Sequence, residues 1–283
     1  MKFTRAEADI FTPDSSLPEH ALARTTHLCV AAHQDDIEIM AHAGIAACYG
    51  NATKSFTGVV VTNGAGSPRR GSYGQYTDSE MQQARRAEQR RAAATGRYGL
   101  QLQLAHPSAD VKTPRHPPVN ADLTTLFTAC TPEVIYLHSP ADKHDTHVAV
   151  FLRCIEALRG LPTERRPTRV VGCEVWRDLD WLVDSDKVAL DASPQPELAR
   201  QLLEAFDSQI SGGKRYDLAT IGRRAANATF HTSHETDQLS AITWAMDLTP
   251  LVANDQLSVR DFTLAHVDRL RADMAARLQK FGA

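Results

Sequence analysis

Hydrophobic residues along the chain fall into short continuous runs separated by longer helical patterns. Five runs read as strands: "THLCVAAH" (26–33), "SFTGVVVT" (55–62), "LQLQLAH" (100–106), "EVIYLHS" (133–139) and "RVVGCEVW" (169–176). Most are apolar throughout rather than alternating, the pattern of strands covered on both faces. Between the second and third runs, Thr77 and Glu80 form a T-x-x-E capping box. It precedes "EMQQARRAEQRRAAAT", a stretch of good helix formers that Gly96 is placed to end. Near the C-terminus Val267, Leu270, Met274, Leu278 and Phe281 recur every three or four residues, which predicts an amphipathic helix. The alternation of strand and helix predicts an α/β fold with a mostly parallel sheet flanked by helices. Residues 180–283 are less regular, and no boundary sets them apart; a single domain over 1–283 is expected.

In open α/β sheets, ligands bind beyond the carboxyl ends of the strands. Those ends carry His33 with Asp35 and Asp36, then Asn63, His106, His138 and Trp176. The fourth strand is followed by "HSPADKHDTHVAVF", which holds His138, Asp142, His144, Asp145 and His147. His144 and His147 are spaced to share one face of a helical turn. A catalytic zinc site commonly takes three His or carboxylate ligands and leaves one position for water. His33 and Asp36, on the strand-to-helix turn, can supply two ligands, and a histidine of the second cluster the third. Asp35, beside a ligand, can then serve as general base. For either carboxylate alone, capping the following helix is the competing reading. His42 and His106 read as structural histidines, His231 and His234 as surface residues, and His138 as either.

Composition narrows the partners. The 283 residues are 42% hydrophobic and 23% charged with a net charge of −3, a balance that gives no bulk attraction to nucleic acid or anionic membranes. Arg69, Arg70, Arg85, Arg86, Arg90 and Arg91 form a local basic cluster, read as a solvated helix face rather than an RNA site. The five cysteines are scattered without a C-x-x-C pair, which suits reduced core thiols in a cytoplasmic protein. No apolar run approaches the roughly 18 residues of a membrane span.

The two clusters resemble the signatures of the LmbE-like, or PIG-L, zinc-dependent N-deacetylases. "AAHQDDIE" is similar to that family's "AHPDDE", and "HDTHVAV" to its "HPDHxxx". "VVVTNGAG" and "RRAEQRRAAATG" resemble two further family features, a Thr-x-Gly turn and an R-x-x-E-x-x-x-A-A helix ending in Gly. The resemblance spans roughly residues 25–160. It implies a Rossmann-like three-layer sandwich, with His33, Asp36 and His147 as metal ligands and Asp35 as general base. It also implies that His144 stabilises the oxyanion or protonates the leaving amine. The cofactor would be zinc or another divalent transition metal, and the assembly a homo-oligomer. Gln34, Ile37, Asp145 and Thr146 depart from the family motifs, so the groups around the ligands differ from the family pattern.

The expected activity is therefore removal of an N-acetyl or other N-acyl group from an N-acetylglucosamine-type sugar or its conjugate. Alternatives are a metal-dependent phosphoesterase, which would need more carboxylates than the motifs offer, and a non-catalytic sugar- or nucleotide-binding module. "NGAGSPRRGSYGQYTD" (63–78) fails the dinucleotide spacing, since Arg69 stands where Gly is needed, and "SGGKRYD" (211–217) fails the P-loop spacing; the first reads as a lid, with Asn63, Arg69, Arg70 and Tyr73 available to a ligand. "CEVWRDLDW" offers Trp176, Arg177 and Asp178 as a saccharide platform; the alternative is that its tryptophans fill an interface. Residues 214–234 are expected to pack over the site or to form a subunit contact.

Overall fold

A computed structural model describes residues 1–283. Eight strands form one sheet: β1 (Asp9–Phe11), β2 (His27–Ala31), β3 (Phe56–Thr62), β4 (Leu100–His106), β5 (Val134–His138), β6 (Val170–Cys173), β7 (Val188–Asp191) and β8 (Ile242–Asp247). Their spatial order is β1-β4-β3-β2-β5-β6-β8-β7. All five runs read from the sequence are strands, and β2 to β6 are parallel, with Val30 beside Val59 and Cys29 beside Tyr136. The sequence reading missed β1, β7 and β8. These are antiparallel additions at the two edges, and β7 and β8 bring residues beyond 180 into the same sheet.

The order fixes where a ligand can sit. From β2 the chain steps outward through β3 to β4, then returns to the other side of β2 for β5 and β6. The reversal opens a crevice beyond the carboxyl ends of β2 and β5, a topological switch point. His33 follows one of these strands and His138 ends the other.

Alternation along the strands builds two cores. Leu28, Val30 and Ala32 pack with Val59, Val61 and the helices Pro117–Ala129 and Asp145–Arg159. Cys29 and Ala31 face the opposite layer, with Val60 and the helices His42–Cys48 and Asp78–Thr95. The second of these helices begins with the capping box foreseen at Thr77 and Glu80 and ends at Gly96. All five cysteines are buried and unpaired. The C-terminal helix Val259–Lys280 has the apolar spacing expected, but Val267, Met274 and Leu278 remain exposed on it. No helix is long and apolar enough to cross a membrane.

β4 alternates in earnest. Leu100, Leu102 and Leu104 enter the first core, whereas Gln101 and Gln103 are buried among polar partners. Gln34 Nε2 donates to Gln103 (3.2 Å), and Gln89 Nε2 donates to Gln101 (3.3 Å) and to Glu38 (2.9 Å). Tyr98 also donates to Glu38, at 2.7 Å. This polar layer lies directly behind the turn that follows β2. Burial pushes the Glu38 carboxyl up to about 8, although Tyr98 and Gln89 pull it back.

A carboxyl that binds its proton more tightly when folded stabilises the chain below its ordinary value near 4.5, and that stability is lost as pH rises through 8. Glu38→Gln should abolish the loss. In urea unfolding of the chelated protein, wild type should weaken relative to the variant by up to about 1.4 kcal/mol per pH unit within that window. A difference that does not change with pH contradicts a buried neutral Glu38.

Candidate active site

After β2 the chain turns sharply into the short helix Asp36–Met40. Asp35, at the turn, has φ 88°, a left-handed conformation that costs a non-glycine residue about 1–3 kcal/mol. It does not cap the helix. The backbone is held instead by Arg85, which donates to the Gln34 carbonyl, and by Gln89 Oε1, which accepts the Asp35 N–H at 3.3 Å. The Arg85 guanidinium also pairs with Asp35 Oδ2 at 3.5 Å. Arg85 is thus buried at the site, which corrects its reading as part of a solvated face. Its position was in step with Met81, Glu88 and Ala92, the buried stripe of its helix. Of its neighbours, Arg90 pairs with Asp9 and Arg86 donates to the Glu7 carbonyl, so the basic cluster is largely spent within the chain.

Asp36 turns the other way. Its Oδ2 accepts the His33 backbone N–H at 2.8 Å and lies 3.2 Å from both His33 Nδ1 and His147 Nε2. His33 Nδ1 and His147 Nε2 are themselves 3.2 Å apart. Three donor atoms at equal spacing of this size match three corners of a tetrahedron around an ion with bonds of about 2.0 Å. His147 Nδ1 donates to Asp142 at 3.0 Å, which aims Nε2 at the other two donors. Asp142 is fixed in turn by the N–H groups of His144, Trp176 and Arg177. The donor set of two imidazoles and one carboxylate therefore fits a divalent metal.

His138 is beside this group without completing it. Its ring stacks on His147 with centroids 3.9 Å apart, and its Nε2 is 3.6 Å from Asp36. That nitrogen already accepts the Ala32 N–H at 2.8 Å, which occupies the lone pair a metal would need. His144 stacks on the outer side of His147 at 4.5 Å, with Trp176 beyond it at 5.8 Å.

The buried charges differ sharply in protonation. Burial pushes Asp35 up to about 7, with Arg85 opposing and Asp36 adding to the rise. Burial would raise Asp36 as well, but the His147, His33 and His138 imidazoles together hold it well below the usual carboxylate range. Burial would lower His147, yet Asp36 and Asp142 outweigh it and hold the imidazole at about 9. His144 is pushed down to about 4, chiefly by burial and then by the neighbouring imidazoles.

A cavity of about 720 Å³ opens over these groups, lined by His33, Asp35, Asp36, His144 and Trp176 among others. The helix Tyr216–Thr229 forms part of its wall, so the 214–234 segment does pack over the site. Of the residues proposed for substrate, only Trp176 reaches the lining. Asn63 makes a local turn with the Ala65 N–H, and Arg69 pairs with Asp78 at 2.6 Å. Tyr73 donates to Asp207 at 2.6 Å, Arg177 donates to the Ala141 carbonyl, and Arg70 and Asp178 are exposed outside the cavity. The glycine-rich segment still contributes to the wall, through Gly64, Gly66, Ser67 and Pro68. His42 donates to or accepts from nothing in the site, since its Nε2 contacts the Pro194 carbonyl, and His106 is paired with Asp122. His231 and His234 are exposed.

Comparison with known proteins locates the same region. Residues 28–158 match the family model of PIG-L, described as GlcNAc-PI de-N-acetylase. A sequence search of curated proteins finds no match. Among solved structures, the N,N'-diacetylchitobiose deacetylase of Pyrococcus horikoshii superposes with a TM-score of 0.60 at 14% identity, covering 84% of this chain and 88% of that one. The A40926 pseudoaglycone deacetylase Dbv21 gives 0.56 at 16% identity, covering 79% of this chain and 97% of its own. The 4-carboxy-2-hydroxymuconate hydratase of Pseudomonas putida KT2440 also gives 0.56 at 16% identity, covering 79% and 96%. Likeness at these identities establishes the shared fold, and the hydratase shows that this fold carries more than one reaction.

Without a metal, His147 keeps its proton up to about pH 9, so an ion binding at Nε2 at neutral pH must displace it. Titrating chelated protein with Zn2+ at pH 7, in buffers of different ionisation enthalpy, should therefore report release of about one proton. The apparent affinity should fall about tenfold for each pH unit below 9. Binding without proton release would place the ion elsewhere.

Proposed function

We propose that this chain, which belongs to the PIG-L (LmbE-like) family through residues 28–158, removes an N-acetyl group from an amino sugar or its conjugate. The observation that carries the reading is the triangle of His33, Asp36 and His147 donors, with a raised carboxyl, Asp35, adjacent to it. These three residues would hold zinc, which supplies Lewis acidity toward a carbonyl oxygen and toward water. The other assignments follow from the chain's own groups.

Asp35, poised near neutrality, accepts a proton as water adds its oxygen to the acetyl carbonyl carbon. Its left-handed backbone and Arg85 fix the carboxylate beside the attack site. His144 is neutral at pH 7, and its ring N–H donates to the oxyanion that forms. When the C–N bond breaks, the proton held by Asp35 passes to the departing nitrogen, leaving acetate and a free amine. Trp176, partly exposed in the cavity wall, offers a face for a sugar ring.

The wider assignments rest on separate observations. Eight strands in one sheet support a single domain over 1–283, and five buried unpaired thiols support a cytoplasmic location. The apolar side chains left exposed on Val259–Lys280 support a homo-oligomer.

The test is acetate release from N-acetylated mono- and disaccharides by zinc-reconstituted protein against a chelated control. Wild type should release acetate only with the metal. Asp35→Asn should retain zinc but lose roughly 100- to 10,000-fold in kcat, and His147→Ala should lose the zinc itself. Normal turnover by Asp35→Asn would remove Asp35 as the base.

A further inference from the structure

The cavity extends beyond the metal-ligand end, and its lining carries more cations than anions. Six of its lining residues are Arg or Lys and three are Asp or Glu. The helix Tyr216–Thr229 presents Tyr216, Ala219, Thr220 and Arg223 along the cavity, the i, i+3, i+4, i+7 spacing of a single helix face. Arg224 joins them. At about 1.5 Å per residue, the two arginines lie about 10 Å along the helix from Tyr216. Ala219 and Thr220 are small, so the wall between the ends stays open.

Arg224 is the informative residue. Its guanidinium is buried at 4% exposure, and its Nη2 donates to the Glu38 and Ile39 carbonyls. Both bonds are to backbone carbonyls rather than to a carboxylate, and its Nε is buried without an acceptor. Thr243, on β8 and 2% exposed, lines the same cavity with its hydroxyl also unpartnered. Arg223 donates from Nη1 to the Val175 carbonyl and has no carboxylate partner either. Glu174 is close enough to influence both arginines, but its oxygens are filled by Asn227, the Trp244 N–H and the Leu179 N–H. One carboxyl cannot balance two guanidinium groups, and unpartnered buried donors are costly unless a ligand satisfies them.

We infer that Arg223, Arg224 and Thr243 form an anion subsite, so that the substrate carries a carboxylate or phosphate group about one sugar ring away from the acyl group that is cleaved. Lys214, whose ammonium lies 5.2 Å from the Trp176 ring centroid, adds a further cation to the cavity lining. Guanidinium groups suit both anions because their paired N–H groups match two oxygens at once. The inference rests on the deacetylase reading for the acyl end, while the subsite itself depends only on the cavity.

Two measurements separate these claims. Calorimetric titration of the metal-free full-length chain with inorganic phosphate and with malonate tests the subsite without turnover. Binding of one or both should weaken at least tenfold in Arg223→Gln and in Arg224→Lys, with melting temperatures recorded to show that each variant folds. Arg271→Gln, on the C-terminal helix, controls for net charge and should bind as wild type. In the second measurement, acetate release is compared for N-acetylglucosamine, its 6-phosphate and N-acetylmuramic acid. The preferred anionic sugar should show at least a tenfold higher kcat/KM than the neutral sugar, and Arg223→Gln should abolish most of that preference through KM. Preference for the phosphate or the carboxylate identifies which group the subsite takes. Folded Arg223→Gln that binds both anions like wild type overturns the subsite, as does wild type that binds neither anion and deacetylates the neutral sugar as fast as the anionic ones. Anion binding lost in Arg223→Gln, without acetate release from any sugar, upholds the subsite and removes the deacetylase reading.

Discussion

A carboxylate cannot be taken out of water without a compensating positive charge, and Asp36 is 2% exposed. Burial of this one group organises its surroundings. Two imidazole nitrogens lie 3.2 Å from its Oδ2, one from the residue after β2's turn begins and one from the helix that follows β5. They meet because β2 and β5 are neighbours at the point where strand order reverses. In the metal-free chain a proton on His147 supplies the charge. A divalent ion at the same place would supply more and would use the His33 lone pair as well. Asp142 then has a clear purpose: it fixes the His147 ring, and its other contacts are all backbone N–H groups of the surrounding loop.

Asp35 and Asp36 are adjacent in sequence and opposite in chemistry. One faces the cationic His147 imidazole and stays ionised; the other is lifted toward neutrality by burial. Divergent environments of this kind separate a ligand from a base. The separation depends on the left-handed turn at Asp35, which the chain would not adopt unaided. Gln34, Gln89 and Arg85 hold it, and behind them Gln101, Gln103, Glu38 and Tyr98 complete a buried polar layer. This is also where the sequence departs from the family motifs, at Gln34 and Ile37. Gln34 bonds to Gln103, and Ile37 is buried in the second core.

The parallel centre of the sheet was legible because strands covered on both faces must be apolar throughout. β7 was not, since Val188–Asp191 is an edge strand with one buried residue. β1 has only three residues, too few to establish a period. At the site, His33, Asp35, Asp36 and a histidine of the second cluster could be read from spacing, and the family resemblance picked out His147 and His144; the structure brings all five together, four of them in the cavity lining and His147 directly behind. Arg85 and Arg224 were missed: each sits beside another arginine in a polar stretch, and for Arg85 the one signal was its helical step from Met81 to Glu88 and Ala92. The glycine-rich segment was correctly placed near the site, but its Arg69 and Tyr73 side chains are engaged with Asp78 and Asp207 instead of the cavity.

The central claim is that His33, Asp36 and His147 hold one metal ion at the switch point. Anomalous diffraction at the zinc edge, from crystals of the zinc-reconstituted protein, tests it most directly. The account predicts a single peak about 2.0–2.2 Å from His33 Nδ1, Asp36 Oδ2 and His147 Nε2, with His138 still accepting the Ala32 N–H. A peak ligated by His138 in place of His33, or no peak at this end of the cavity, would contradict it.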